Sequence, residues 1–152
     1  MQGLGLDVDI NKSIKSKNHC VHHRNFKDSF NMATSITGLK TTYKILTAGN
    51  NSRTITKGTN VTVHALGSVL KADGSTEKFW DTKDAGQEAF RYQAGMGGVI
   101  TGWDQGCLGM GLGESRELTI PGDEGYGAGG FPAWGIPPNG TLHFVIECLK
   151  IE

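Results

Sequence analysis

Val99-Ile100-Thr101-Gly102-Trp103-Asp104-Gln105-Gly106-Cys107-Leu108 is where the fold class turns, because nowhere else from Gly38 onward does the pattern look helical. Val99, Trp103 and Cys107 recur at i, i+4 and i+8 with Ile100 and Leu108 flanking the stripe, which predicts one short helix with a single buried face. Its surroundings read mostly as strand. Upstream, Thr41–Ile45 closes on the turn signal Ala48-Gly49-Asn50-Asn51, and Val61–Leu66 alternates with period two. Lys71–Ser75 then supplies a hairpin turn, and Glu77–Asp81 and Phe90–Ala94 are further strand candidates. Downstream come Ser115–Ile120 and a long segment, Thr141–Ile151, with Leu142, Phe144, Ile146 and Cys148 on one face. Val145, Leu149 and Ile151 make the other face of that segment partly apolar, so it is expected to be a central strand covered on both sides. One short helix against a curved antiparallel sheet is an α+β arrangement.

The chain of 152 residues has room for one domain, or one domain with a tail. Apolar residues make up 37% and glycine adds 23 positions, which brings the sum near half, the ordinary globular range. Fifteen basic residues balance fifteen acidic ones, which argues against a chain that grips nucleic acid or an anionic membrane through bulk charge. No apolar run approaches the roughly 18 residues of a membrane span or resembles a secretory leader. Cys20, Cys107 and Cys148 are odd in number, far apart and without a CxxC, so a reducing compartment is expected and the cytoplasm fits best.

The chain divides near residue 32. Residues 1–31 carry five basic and three acidic side chains and few apolar ones. Leu6, Ile10, Ile14 and Val21 fall on one narrow stripe, so a weak amphipathic helix competes with the preferred reading of a solvated tail. His19-Cys20-Val21-His22-His23 holds zinc-type donors, but a structural site draws four ligands, usually from two clusters, and there is no second cluster. No metal and no cofactor are expected.

Sixteen of the glycines lie between Gly86 and Gly140, where tight turns alternate with large apolar side chains. A phosphate loop is excluded. The GxGxxG register places Ile100 or Glu114 at the third glycine, and no GxxxxGK[ST] occurs. Trp80, Phe90, Tyr92, Trp103, Tyr126, Phe131, Trp134 and Phe144 share the same region. Each taken singly reads as core, yet Tyr126, Phe131 and Trp134 sit in a loop too glycine-rich to bury them, which points to a concave apolar pocket. Catalytic sets are missing. His64 and His143 lie in strands without a GxSxG serine or a recognisable cysteine nucleophile motif, and Asp104, Glu114, Glu117, Asp123 and Glu124 read as solvated charges. Any reaction here needs little acid–base chemistry.

Several segments resemble one family in order along the chain, from Gly38 to Glu152. They are Val61-Thr62-Val63-His64, Phe79-Trp80-Asp81, Phe90-Arg91-Tyr92 and Gly98-Val99-Ile100-Thr101-Gly102-Trp103, followed by Tyr126-Gly127-Ala128-Gly129-Gly130, Ile136-Pro137-Pro138 and Leu142-His143-Phe144. They are similar to the FKBP-type peptidyl-prolyl isomerases, which bind tacrolimus and rapamycin. The resemblance implies a half-wrapped antiparallel sheet around one short helix, residues 32–152 forming the domain with its core motifs in 58–152. It also implies a monomeric folding helper acting on proline-containing polypeptides, with no nucleic acid or membrane as partner. The alternative is a catalytically weak module that keeps the scaffold for binding proline segments or macrolides.

Carried over by position, the resemblance makes Trp103 the floor for the proline ring, Trp80, Phe90, Tyr92 and Phe144 the aromatic walls, and Val99 the helix-entry contact. Ile100 would hold a substrate carbonyl through its backbone N–H. Tyr126 would meet the substrate with its hydroxyl, Ile136 would be a loop contact, and Asp81 would stand beside the isomerising carbonyl. There are departures. Ala65 stands where the family has a pocket tyrosine and is expected to face the pocket beside Asp81. Gly86 replaces the basic partner of Asp81, with Lys83 as a substitute, and Phe131 replaces a loop histidine.

Overall fold

The computed structural model describes residues 32–152; the readings made for residues 1–31, including the His19–His23 cluster, lie outside it. In chain order the elements are β1 (Thr34–Ser35), β2 (Thr42–Thr47), β3 (Asn50–Thr54), β4 (Asn60–Leu70), β5 (Thr76–Asp81), β6 (Phe90–Gln93), α1 (Thr101–Gly106), β7 (Gly111–Leu112), β8 (Ser115–Ile120) and β9 (Thr141–Ile151). Single 3-10 turns at Gly122–Glu124, Gly127–Gly129 and Pro132–Trp134 occupy the long connection between β8 and β9. A seven-stranded antiparallel sheet runs β1-β2-β8-β9-β4-β5, and β6 also pairs with β4; β3 and β7 form a separate ribbon. The α+β expectation is met.

β4 organises the sheet. It pairs with β9 along its length, while its other edge is shared: Asn60–Val63 with β6 and Leu66–Leu70 with β5. Thr82 fills the gap between those partners. Its hydroxyl accepts from the Ala65 N–H at 2.9 Å and its own N–H donates to the Ala65 carbonyl at 3.0 Å, so no backbone group is stranded where one partner hands over to the other. The handover brings Trp80 and Phe90 side by side over the inner face, 5.8 Å apart and perpendicular.

The core lies between that face and α1. Val61 and Val63 of β4, Leu118 and Ile120 of β8, and Leu142, Phe144, Ile146 and Cys148 of β9 pack under Trp103, Cys107 and Met110, all essentially sealed from water. α1 is shorter than the predicted Val99–Leu108. Ile100 is extended (φ −56°, ψ 147°) and the helix ends at Gly106. Two of its six residues are glycines, which disfavour helix, and no side chain caps its start. Both glycines let the helix come close to the sheet, Gly102 most strictly. A Cβ on Gly102 would lie 2.5 Å from Ile120 Cγ2, and one on Gly106 2.9 Å from Leu118 Cδ2, so the helix backbone rests directly on β8.

A buried ion pair clamps the other end of α1. Arg116 of β8 is 5% exposed, and its Nε donates to the equally buried carboxylate of Glu114. Its Nη1 donates to the carbonyls of Gly106 (2.9 Å) and Leu108 (3.1 Å), and its guanidinium lies 4.2 Å over the Tyr43 ring. Glu114 completes the set by accepting from the Gly111 N–H at 2.8 Å. The reading of Glu114 and Asp104 as solvated charges is therefore corrected: both are 3% exposed and fully engaged with backbone or guanidinium donors.

β9 is central, but its second face is not covered. Val145 is half-buried and Leu149 is 38% exposed. The pairing with β4 shifts register between Thr62 and Val63, opposite Leu149, which turns Ile151 back into the core at 6% exposure. The apolar character at Leu149 and Ile151 thus reflects a bulge rather than a second covering layer.

Candidate active site

Trp103 forms the floor of a cavity of about 210 Å³. It is 4% exposed, carried on α1 and held edge to face by Phe144 (5.0 Å, 67°), Phe90 (5.7 Å, 72°) and Tyr92 (6.0 Å, 90°). Such perpendicular contacts place ring edges on ring faces, the favoured arrangement for aromatic quadrupoles. The floor is therefore rigid. Trp80 rises as one wall, 6.1 Å from Trp103, with its indole N–H donating to Gln87 Oε1 at 3.3 Å. Gly98, Val99 and Ile100 make the opposite wall, and Tyr126 and Trp134 close the rim.

Asp104 sets that opposite wall. Its two carboxylate oxygens accept from the Gly95 and Gly97 N–H groups at 2.8 and 2.9 Å, pinning the loop that leads into Val99 and Ile100. Ile100 lies outside α1, and no acceptor among the described residues takes its N–H. It remains a free backbone donor at the cavity wall. Tyr126 supplies a second donor; burial raises its pKa, so the hydroxyl keeps its proton at neutral pH. Among the described residues, no charged side chain lines the cavity.

Beneath the floor, burial pushes the Tyr92 hydroxyl far above its ordinary range and the Cys107 thiol up to about 12, so both stay neutral. Among the described residues, neither the Tyr92 hydroxyl nor the Trp103 indole N–H meets a partner in hydrogen-bonding geometry.

The structure brings together Trp80, Phe90, Val99, Ile100, Trp103, Tyr126 and Phe144, seven of the residues singled out from sequence. Tyr92 lies behind the floor, 7% exposed and stacked on Phe90 at 5.9 Å. Phe131 stands outside the cavity against Tyr126 (5.4 Å) and Trp134 (5.0 Å), and is 37% exposed. Ile136 is 1% exposed, paired with Phe131 through reciprocal backbone bonds, and gives its place at the rim to Trp134. Trp134 and Gly98 also line the cavity, without a matching expectation from sequence. The aromatic loop was the available signal for Trp134, but sequence alone does not say which of its residues turns inward.

Asp81 is not part of the cavity. In the β4–β5 register Trp80 is opposite Gly67 and Asp81 opposite Leu66, so strand alternation sends the two side chains to opposite faces of the sheet. Asp81 lines an outer cleft with His64, Leu66, Lys83, Val145 and Glu147. Its carboxylate accepts from the Lys83 backbone N–H at 2.8 Å, while the Lys83 ammonium pairs with Glu147 at 3.3 Å. Lys83 therefore does not replace a basic partner of Asp81. Ala65 is 2% exposed and packs in the core on the inner face, opposite Ile146, away from Asp81 and outside the lining of the aromatic cavity, so the expected place in the pocket beside Asp81 is not found.

Residues 51–149 match the family model of FKBP-type peptidyl-prolyl cis-trans isomerases. A peptidyl-prolyl cis-trans isomerase FKBP12 of Vicia faba is 54% identical over 96 residues, 63% of this chain and 85% of the relative. Its Arabidopsis thaliana counterpart is 53% identical over 95 residues, 62% of this chain and 84% of that protein. FK506-binding protein 1 of Yarrowia lipolytica is 44% identical over 111 residues, covering 73% of this chain and 97% of the relative. On this match over most of its length, and with the aromatic cavity built from the matched segments, the chain belongs to the FKBP-type peptidyl-prolyl cis-trans isomerases, enzymes that rotate the peptide bond before proline.

Proposed function

We propose that the X–Pro bond rotates in the cavity above Trp103, with the proline ring on the indole and its own carbonyl held by the Ile100 N–H. The uncatalysed barrier is about 18–20 kcal/mol, because twisting the C–N bond destroys amide resonance. The twisted amide has less charge separation than the planar one. A dry apolar enclosure therefore stabilises the transition state relative to the ground state. Tyr126 donates to the carbonyl of the residue before proline as that carbonyl turns out of the amide plane. Each 1.36 kcal/mol of preference for the twisted state is a factor of ten in rate, so a useful enzyme needs about 5–7 kcal/mol. Asp81 has no place in this scheme, since it lines the outer cleft.

The observation that carries the proposal is the 4% exposed indole floor within a cavity lined by no charged side chain. The same enclosure suits a tacrolimus-type macrolide, and the Yarrowia lipolytica relative is named for binding FK506. The proposal extends to a monomeric cytoplasmic helper of proline-containing chains, which the two buried free thiols Cys107 and Cys148 support. Trp103→Leu tests the site. A protease-free assay on a Leu-Pro peptide should show at least a tenfold loss of kcat/KM while a cooperative thermal melt is retained. Full activity in the folded variant would place the chemistry elsewhere.

A further inference from the structure

We infer that Glu124 is a positioning residue for the bond rotation: held by Lys40 and Thr41, it fixes the loop that aims the Tyr126 hydroxyl over Trp103. The inference rests on the role given above to Tyr126 as donor to the carbonyl before proline. Its starting point is the freedom of that tyrosine's own backbone. Gly125 and Gly127 flank Tyr126, and Gly127 takes left-handed backbone at φ 65°. Glycine restrains the chain least of all residues, so anchors beyond the two glycines must place the ring.

There is an anchor on each side. Downstream, the Gly127 carbonyl accepts from the Asn139 N–H at 2.8 Å. Upstream, the half-buried Glu124 carboxylate gathers three donors from two adjacent residues. Its Oε1 accepts from the Lys40 N–H at 2.6 Å, and its Oε2 accepts from the N–H (2.8 Å) and the hydroxyl of Thr41. Bonds to an ionised acceptor are roughly twice as strong as neutral ones. The neighbouring Lys40–Asp123 pair is exposed at both ends and adds little.

Thr41 ties this anchor to the floor. It is completely buried, and its Oγ1 lies so close to α1 that a Cβ on Gly102 would be 2.6 Å from it. Gly102 immediately precedes Trp103. One threonine thus touches the helix that carries the floor and, through Glu124, the loop that carries the donor at the rim. Glu124 is not among the residues lining the cavity, so it acts on the substrate only through Tyr126. Tyr126 donates as the carbonyl turns out of the amide plane, which makes the contact one of the transition state. Loosening it therefore lowers kcat and kcat/KM together and leaves KM unchanged.

The test is a double-mutant cycle in the full chain, read as kcat and KM on a Leu-Pro peptide at a temperature where thermal melts show every variant folded. Glu124→Gln keeps the side-chain volume but turns an amide toward the Lys40 and Thr41 donors, and should lower kcat about tenfold, within the range for a contact displaced by about 1 Å. Tyr126→Phe should lose at least as much, and adding Glu124→Gln to it should cost nothing further. Thr41→Val, which loses only the hydroxyl, should lower kcat about threefold, while Thr41→Ser should keep the wild-type value. Wild-type kcat in Glu124→Gln, or losses that multiply in the double variant as those of a merely structural residue would, overturns the inference. Should Glu124→Gln not fold, the cycle of Thr41→Val with Tyr126→Phe decides by the same criterion. Wild-type kcat in Tyr126→Phe would instead overturn the role of Tyr126, and this inference with it, while Trp103→Leu still tests the cavity separately.

Discussion

Gly102→Ala sets two known effects against each other at the point where α1 meets the sheet. In a free helix the change gains about 0.8–1 kcal/mol, because alanine is the better helix former. Here the added methyl would lie 2.5 Å from Ile120 Cγ2, 2.6 Å from Thr41 Oγ1 and 2.9 Å from Ile120 Cγ1. Relaxed carbon contacts are about 3.5–4.0 Å, so α1 and β8 must separate by about 1 Å. Neither obstacle gives way easily. Ile120 and Thr41 are completely buried, the isoleucine is β-branched and stiff at χ1, and the threonine hydroxyl is committed to Glu124. Overpacking of this kind costs about 1–3 kcal/mol, and with no soft neighbour the upper half of that range applies. The net expectation is a loss of about 1–2 kcal/mol, with kcat/KM falling as well because Trp103 follows Gly102 on the same turn. Gly106→Ala is the internal control. Its methyl would meet only the end of the Leu118 side chain, at 2.9 and 3.2 Å, and a leucine tip can rotate away. Urea unfolding with unchanged m-values gives both numbers. A Gly102→Ala protein as stable as wild type, or a Gly106→Ala protein that is the worse of the two, would refute the packing account.

Arg116→Ala should cost about 3–5 kcal/mol by urea denaturation, since it leaves the Glu114 carboxylate buried without its cation, and the double variant Glu114→Gln/Arg116→Met should recover much of the loss. At Glu124, burial acts to raise the pKa, but the N–H of Lys40 and the hydroxyl and N–H of Thr41 outweigh it and hold the carboxyl below its ordinary 4.5. A depressed folded-state pKa gives stability that is present above the unfolded value and lost as pH falls through the folded one. Glu124→Gln should therefore show a shallower acid fall of the urea midpoint below about pH 4.5, and an unchanged acid limb would refute the assignment. Deletion of residues 1–31 is expected to leave both the urea midpoint and X–Pro turnover unchanged; a shortened chain that fails to fold would show those residues to be part of the domain.

Period-two alternation in Val61–Leu66 and Ser115–Ile120, and the helical spacing of Val99, Trp103 and Cys107, were enough to establish strands, one helix and a shared core, because burial on one face imposes those periods directly. The aromatic cavity was legible for a related reason. Large rings scattered among glycines cannot be buried locally and must converge on one another. Residue type alone thus determined the fold class and the apolar chemistry, and the family resemblance supplied the floor at Trp103. The tertiary structure decided which side of the sheet each side chain reaches. Asp81 follows Trp80 directly, yet pairing with β4 sends the two to opposite faces. Ile136 and Trp134 are two residues apart, and the reciprocal bonds of the Phe131–Ile136 hairpin bury one while turning the other over the rim. Asp104 and Glu114 read as solvent charges although their donors lie close by in the chain, because only the folded turns aim those N–H groups and the guanidinium at the carboxylates and seal them from water. Local sequence carries period and propensity, whereas register, bulges and the burial of a charge arise only when the chain has folded.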